Sequence, residues 1–226
     1  MGLILNIETA TKNCSVCLAR AGEIISIREM NEGKYSHSEK LHSLILEVVR
    51  EAGWTMKDLD AISVSKGPGS YTGLRIGVSA AKGLCFALDK PMIAVPTLES
   101  LALQVIASEE GHIVPMLDAR RMEVYTAVFG MDRRQLTETD ALIVQEDAFS
   151  EYLQQGKVYF LGDGAEKCKA VIRHPNALFL DGLYPSSREM AVLSERRFLE
   201  QRFEDLAYFE PFYLKDFVAG KPKRIF

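Results

Sequence analysis

The chain has 226 residues, 47% hydrophobic and 26% charged, a balance typical of a globular protein rather than a disordered or fibrous one. Its net charge of −4 gives it no general attraction to nucleic acid or anionic lipid. No apolar run approaches the ~18 residues of a membrane span, and the N-terminus lacks the pattern of a secretory signal. Its four cysteines are too few for a disulfide scaffold, so a reduced, cytoplasmic setting is expected.

The first half of the chain, residues 1–108, changes from strand patterns to alternating helix and strand patterns. Two early strands form a hairpin that turns at Ala21–Gly22, and Ser36 with Glu39 makes a capping box before the first helix. Thr97 is expected to cap the last helix, which carries an apolar stripe that ends with Ile106. The expected strands cover residues 3–10, 13–22, 23–31, 60–67 and 91–95, and the expected helices cover 36–53, 72–88 and the segment from 97.

The second half, residues 109–226, repeats this order of elements without a residue-level repeat. The expected strands cover residues 112–119, 122–131, 139–144, 158–164 and 177–181, and the expected helices cover 148–155, 165–173 and 187–203. An antiparallel meander followed by alternating units predicts an α/β fold of mixed sheets flanked by helices. The chain is therefore divided into two halves at residue 108.

A glycine-rich loop joins the fourth strand to the second helix, in the stretch SVSKGPGSYTGLRIGVSAAKG (residues 63–83). The P-loop pattern is not met, because Gly67 and Gly73 are one residue too far apart and Leu74 replaces the lysine. The dinucleotide pattern is not met either, because Thr72 stands at the third glycine position. The loop is therefore not expected to hold a phosphate.

The helix after this loop has a face of small residues, Gly73, Gly77 and Ala80, which Leu84 extends. A glycine inside a helix costs up to ~1 kcal/mol relative to alanine, so two of them four residues apart indicate a backbone lying very close. One interpretation is tight packing within the chain, and the other is contact between two chains. A second apolar stripe, starting at Leu74, favours contact between chains, because one sheet needs only one apolar face.

The spacing of cysteines and histidines gives only weak evidence for a metal site. Cys14 and Cys17 form a lone C-x-x-C, and their offset of three sends them to opposite faces of a strand, so core packing is the preferred interpretation. His37 and His42 are five residues apart, ~140° around a helix, whereas helical metal pairs come at three or four. No metal site is expected.

Two groups of polar residues at strand ends would suit a nucleotide or another anion. Glu8 and Asp118 end apolar strands that could border a cleft. The turn Gly162–Asp163–Gly164 leads from a strand into a helix, where backbone N–H groups can meet an anion. Each signal is weak when taken alone.

Taken together, the residues resemble the TsaB family, the partner subunits in bacterial tRNA threonylcarbamoyladenosine synthesis. Glu8 stands where aspartate is common in that family, and it keeps the carboxylate. The resemblance implies an actin-like ATPase (ASKHA) fold of two ribonuclease H-like halves. The segments that carry it are LNIETAT, SHSEKLHSLI, DLDAISVSKGPGSYTGLRIGVSAAKGLCFAL, PMIAVPTLESLA, LDARRMEVYTA, LGDGA and FEPFYLKDFVAGKPK.

The resemblance also implies a subunit without its own chemistry. The related catalytic subunit, TsaD, has two metal-binding histidines in a segment that matches VPTLESL here. Thr97 and Leu101 stand in their place, and neither is an effective metal ligand. The expected function is to dock TsaD and help recruit the ATPase TsaE, so that the complex modifies the adenosine beside the tRNA anticodon.

The expected partner surface lies on the glycine-bearing helix and the preceding helix. Alone, the chain is expected to form a homodimer through this surface, because a self-complementary apolar surface tends to pair. TsaD would then replace the second copy. The residues assigned to the surface are Gly69, Tyr71, Gly73, Leu74, Gly77, Ala80, Leu84, His37 and Leu41.

Three alternatives stay open. The chain could be a free-standing ASKHA-type small-molecule kinase or ATPase that uses Glu8, Asp118 and the 162–164 turn for Mg-ATP. It could be a purely homodimeric scaffold. The basic end at Lys221, Lys223 and Arg224 is typical of a solvated terminus, with weak contact to tRNA phosphate as the alternative. No cofactor is expected in the isolated chain, and ATP or ADP is expected only within the complex.

Overall fold

The first of two mixed sheets has five strands in the order β3-β2-β1-β4-β5. A computed structural model describes residues 1–31, 37–107 and 110–215 of the chain. Strand β1 runs antiparallel to β2 and parallel to β4, as expected for a meander followed by crossover units. The strands are β1 (Leu3–Glu8), β2 (Cys14–Arg20), β3 (Glu23–Met30), β4 (Ala61–Gly67) and β5 (Met92–Pro96).

Helices cover both faces of this sheet, since successive side chains of a strand point to opposite faces. On one face Leu5 and Ile7 pack with the apolar stripes of α1 and α2. On the other face Ile4 packs against Met190 of α6. These helices are α1 (His37–Glu51), α2 (Tyr71–Leu88) and α6 (Ser187–Leu199), with the short α3 (Thr97–Ala102) at the end of β5.

The second sheet has the order β11-β10-β6-β7-β9, with β8 paired to β6. Val114 and Phe160 lie fully buried in the core between this sheet and two short helices. Its strands are β6 (Gly111–Asp118), β7 (Glu123–Thr126), β8 (Phe129–Gly130), β9 (Asp140–Ile143), β10 (Lys157–Leu161) and β11 (Ala177–Leu180), and the helices are α4 (Ser150–Gln155) and α5 (Ala165–Cys168). The predicted fold class, mixed sheets flanked by helices, is confirmed.

Several predicted boundaries are wrong at helix ends. Helix α3 ends at Ala102, so Ile106 lies beyond its periodicity and is 98% exposed instead of completing a buried stripe. Thr97 is the first helical residue, and Pro96 occupies the cap position. Helices α5 and α6 end earlier than their predicted limits of 173 and 203. The predicted capping box at Ser36 lies outside the described residues.

Helix α6 belongs to the predicted second half, yet it packs on the sheet of the first half. Its Glu195 carboxylate accepts the backbone N–H of Gly2 at 3.0 Å. Its Arg197 guanidinium pairs with Glu99 of α3 at 2.6 Å. The chain therefore returns to the first sheet after building the second one, and the division at residue 108, which is not described, stays a prediction.

A C-terminal strap, residues 203–215, continues from α6 across the first sheet. Its Glu204 N–H donates to Met92 O at 2.9 Å, and its Phe212 N–H donates to Lys66 O at 2.7 Å. No helix in the described ranges is both long and apolar enough to cross a bilayer.

Candidate functional site

Gly69 of the loop and Gly73 and Gly77 of α2 pack against the chain's own β1–β2 loop. A Cβ atom on Gly73 would lie 2.1 Å from the Thr9 carbonyl oxygen, and one on Gly77 would lie 2.2 Å from Thr9 Oγ1. A Cβ on Gly69 would lie 2.5 Å from Ala10 O. The Thr9 hydroxyl also donates to Gly73 O at 2.8 Å, so α2 and this loop are joined by both packing and hydrogen bonding.

The interpretation that Gly73 and Gly77 admit a partner's backbone is therefore wrong, because the space beside them is already filled. Three more residues assigned to the partner surface are buried. His37 Nε2 lies 2.7 Å from the Thr11 carbonyl oxygen. Leu41 and Leu74 lie in the core with at most 1% exposure. These buried residues support a surface from beneath, and the contact role of the surface itself stays a prediction.

A groove with a volume of ≈ 670 Å³ lies between α1 and α2. Three residues of the predicted surface, Tyr71, Ala80 and Leu84, line it. Beyond the groove, Leu46 of α1 is 61% exposed and Phe86 of α2 is 84% exposed. The full lining is Ser38, His42, Tyr71, Thr72, Arg75, Ile76, Ser79, Ala80, Gly83 and Leu84.

The polar groups of the groove lining are cationic or neutral. Arg75 lies over the Tyr71 ring, with its guanidinium carbon 5.4 Å from the ring centroid, and it donates to the Tyr71 hydroxyl at 2.9 Å. His42 lies on the α1 side, and none of the described lining residues is a carboxylate. Arg75 and Ser79 line the groove but were not assigned to the predicted partner surface. They form a polar strip on α2 that is visible in the sequence and could have identified them. Gly83 was also omitted; a Cβ placed there would have no atom within 4 Å.

Glu8 lies fully buried at the end of β1. One carboxylate oxygen accepts the Ala10 N–H at 2.6 Å and the Ser65 hydroxyl at 2.7 Å. The other oxygen has no hydrogen-bond partner within residues 1–31, 37–107 and 110–215. Burial raises the pKa of Glu8 to about 7, because desolvation disfavours the charged form more than these hydrogen bonds favour it.

Other buried oxygens without partners lie on the same side of the first sheet. Asn6 and Ser63 are register partners on β1 and β4, and Asn6 Oδ1 and Ser63 Oγ make no hydrogen bond. Thr97 Oγ1 at the start of α3 is also unpaired. Such groups cost free energy when buried, so this polar layer does not stabilise the core.

The turn at residues 162–164 is closed against the end of β6. Asp163 accepts the Asp118 N–H at 3.0 Å, and burial raises the pKa of the Asp163 carboxyl. Asp118 pairs with Lys167. A Cβ on Gly162 would lie 2.3 Å from the Met116 carbonyl oxygen, so the glycine permits close packing with β6.

Of the predicted anion-binding residues, the structure brings Asp118 and the 162–164 turn together, through the hydrogen bond from Asp118 N–H to Asp163. The positive charge of Lys12, in the loop after β1, offsets part of the rise in the pKa of Asp163. In the described ranges, no three His, Cys, Asp or Glu side chains lie close enough to share a metal ion. Nucleotide or anion binding by Glu8, Asp118 and the turn stays a prediction.

Thr97 and Leu101, which the resemblance placed at the two histidine positions of the catalytic relative, lie on α3. Both side chains are fully buried. Leu101 packs in the core that α3 shares with β6 and β10. Its side chain has no donor atom, so Leu101 cannot ligate a metal ion.

Comparisons with known proteins agree on one family. The model of the family described as "TsaD: tRNA N6-adenosine threonylcarbamoyltransferase" matches residues 31–223. The chain is 30% identical to "tRNA threonylcarbamoyladenosine biosynthesis protein TsaB" of Escherichia coli K12, with 96% of each chain covered. It is 27% identical to the protein of the same name from Haemophilus influenzae, with 96% of this chain and 95% of that one covered.

Solved structures show the same fold. An uncharacterized protein from Pseudomonas aeruginosa, described as similar to peptidase YEAZ, superposes with a TM-score of 0.82 at 24% identity. The superposition covers 95% of this chain and all of the other. Together with the family model, this likeness confirms the actin-like fold class that the resemblance implied.

Proposed function

Because the chain belongs to the TsaB family of tRNA threonylcarbamoyladenosine biosynthesis proteins, we propose that it is the non-catalytic subunit of the threonylcarbamoyl-transferase complex. In this role it docks a TsaD-like catalytic subunit and helps to bring a TsaE-like ATPase into the complex. The complex transfers a threonylcarbamoyl group to the adenosine beside the tRNA anticodon.

The groove between α1 and α2 is the observation that carries the docking proposal. It is lined by half-buried apolar side chains such as Ile76 and Leu84, and the exposed Phe86 follows them on α2. Exposed apolar surface bordered by polar residues is typical of a protein–protein contact. The partner's helices would cover it.

Thr97 and Leu101 support the proposal that the chain does not catalyse the transfer itself, because neither side chain is an effective metal ligand. The alternative, a free-standing kinase or ATPase, is less well supported. Glu8 is wholly buried with one oxygen already bonded, and Asp163 is committed to the Asp118 backbone. ATP or ADP would enter with the assembled complex, and the isolated chain would need no cofactor.

Without TsaD, the same groove would pair with that of a second copy. A single surface that serves two alternative partners makes homodimer and heterodimer mutually exclusive. Contact with tRNA would be weak and secondary, through the basic residues Lys221, Lys223 and Arg224, which lie outside the described residues.

The test is to fill the groove without disturbing the fold. Gly83→Trp places a large side chain where a Cβ meets no atom within 4 Å. Gly83→Ala is the matched control, since it also replaces glycine with a better helix former but adds little bulk. Light scattering would measure the mass of each variant, alone and mixed with the TsaD-like subunit of the same organism.

Wild type and Gly83→Ala are expected to form the heterodimer, and Gly83→Trp is expected to remain a folded monomer in both samples. A Gly83→Trp protein that binds the TsaD-like subunit as tightly as wild type would rule the groove out. If wild type itself does not bind that subunit, the whole proposal fails.

A further inference from the structure

The C-terminal strap meets the groove at Tyr71, a residue of the groove lining. The Tyr213 ring lies against the Tyr71 ring, with 5.0 Å between centroids and a tilt of 39°. Tyr71 in turn holds Arg75 through its ring and its hydroxyl. A stack of phenol, phenol and guanidinium thus extends from the strap into the groove lining.

The strap is fixed on both sides of this stack. The Phe212 N–H donates to Lys66 O beside the glycine-rich loop. Gly67 meets the strap closely, since a Cβ there would lie 2.9 Å from Phe212 O. Lys215 pairs with Glu123 of the second sheet. Tyr213 is therefore placed by a backbone anchor and an ion pair, and it remains 38% exposed.

Arg75 is the charged end of this stack. In the described part of the chain no carboxylate forms an ion pair with it, although a guanidinium can bind a carboxylate with two parallel hydrogen bonds. The contact with Tyr71 fixes the guanidinium before any partner binds, which lowers the entropy cost of pairing. Among the residues that the structure describes, the groove lining adds no competing negative charge.

We propose that Tyr213, Tyr71 and Arg75 form a preorganised site for a carboxylate side chain of the TsaD-like subunit, with Tyr213 as its positioning residue. The inference rests on the proposed function, because it takes the occupant of the groove to be that subunit. Tyr213 acts by holding the Tyr71 ring, and Tyr71 holds the guanidinium. The strap, which comes from the far end of the chain, thereby sets the affinity of a surface built by α1 and α2.

Calorimetric titration of the TsaD-like subunit into full-length variants tests this site. Aromatic pairs of this geometry correspond to a roughly two- to tenfold change in Kd, so Tyr213→Ala is expected to weaken binding by that factor. Tyr213→Phe keeps the ring and should bind within about twofold of wild type. Tyr208→Ala is the matched control, since this strap tyrosine is 85% exposed.

Arg75→Ala supplies a second variant that cannot disturb the core, because Arg75 is an exposed residue. It is expected to weaken binding ~10-fold and to make the remaining affinity less sensitive to salt. In the double variant with Tyr213→Ala, the loss should be smaller than the product of the two single losses, because both changes remove one site. A merely structural role for Tyr213 would lower the melting temperature and leave this coupling at zero.

Two results would overturn the inference, and they are distinguishable. If wild type does not bind the TsaD-like subunit, the proposed function and this site both fail. If wild type binds and a folded Tyr213→Ala protein binds equally well, or if Arg75→Ala leaves affinity and salt dependence unchanged, only this site fails.

Discussion

At the scale of single residues, Glu8 shows that a polar residue near a cleft can be identified from sequence, whereas its burial and hydrogen bonding cannot. Its place at the end of an apolar strand marked it as a polar group near a cleft. The sequence does not contain the distances that bury it or that leave one oxygen unpaired. Those depend on Ser65, 57 residues away along the chain, and on the covering helix α6.

Glu8 is expected to make stability fall as pH rises. The folded chain has a pKa of about 7 at this carboxyl, above the usual 4.5 that applies after unfolding, so folding is favoured by the bound proton. This contribution is full below pH 4.5 and is lost as the pH rises through about 7. The loss is on the order of 3 kcal/mol, and Glu8→Gln should remove it.

Urea unfolding at pH 5, 6, 7 and 8 would measure the effect as the difference between wild type and Glu8→Gln. That difference cancels other titrating carboxyls such as Glu189. The free energy of unfolding of Glu8→Gln, relative to wild type, should rise between pH 5 and 7 and level off above about pH 7. Parallel pH profiles would show that Glu8 is ionised in the folded protein throughout this range.

At the scale of elements, α2 shows why a pattern can predict close approach without showing what approaches. Gly73 and Gly77 indicated a neighbouring backbone, and one is there. The neighbour is the chain's own Thr9, whereas the sequence analysis favoured a second chain. The glycine pattern cannot distinguish the two, because either neighbour would require the same small side chains. The extent of α2 was predicted within one residue, since its apolar stripe and the Ser70 cap are local signals.

Alanine substitutions at Gly73 and at Gly83 of α2 are expected to change the free energy of unfolding in opposite directions. Gly73→Ala would force its Cβ against the Thr9 carbonyl oxygen and destabilise the fold by ~1–3 kcal/mol, even though alanine favours the helix. Gly83→Ala meets open space and should stabilise it by up to ~1 kcal/mol. Urea midpoints of the two variants check this, and equal shifts of the same sign would contradict the packing described for Thr9.

At the scale of the whole molecule, the least predictable feature is the return of the chain to the first sheet. The order of elements predicted two successive halves, and α6 was placed with the second. An amphipathic helix shows by its pattern that it covers an apolar face, but not which sheet supplies that face. The faces of β1 and β5 with Ile4, Ile93 and Val95 supply it here.

A fragment of residues 1–107 is therefore expected not to fold on its own, because it lacks α6. Its exposed apolar face should bind a hydrophobic dye, and its urea transition should be broad. Adding a second fragment of residues 185–226 should restore cooperative unfolding. A fragment 1–107 that unfolds cooperatively by itself would show that α6 is dispensable for the first sheet.

The most direct test of the docking proposal is amide hydrogen exchange of the full chain with and without the TsaD-like subunit. Binding through the groove predicts new protection on α1, on α2 and in the strap around Tyr213, with little change on α4 and β9. Protection confined to the second sheet, or none on α1 and α2 in a complex that has formed, would contradict it.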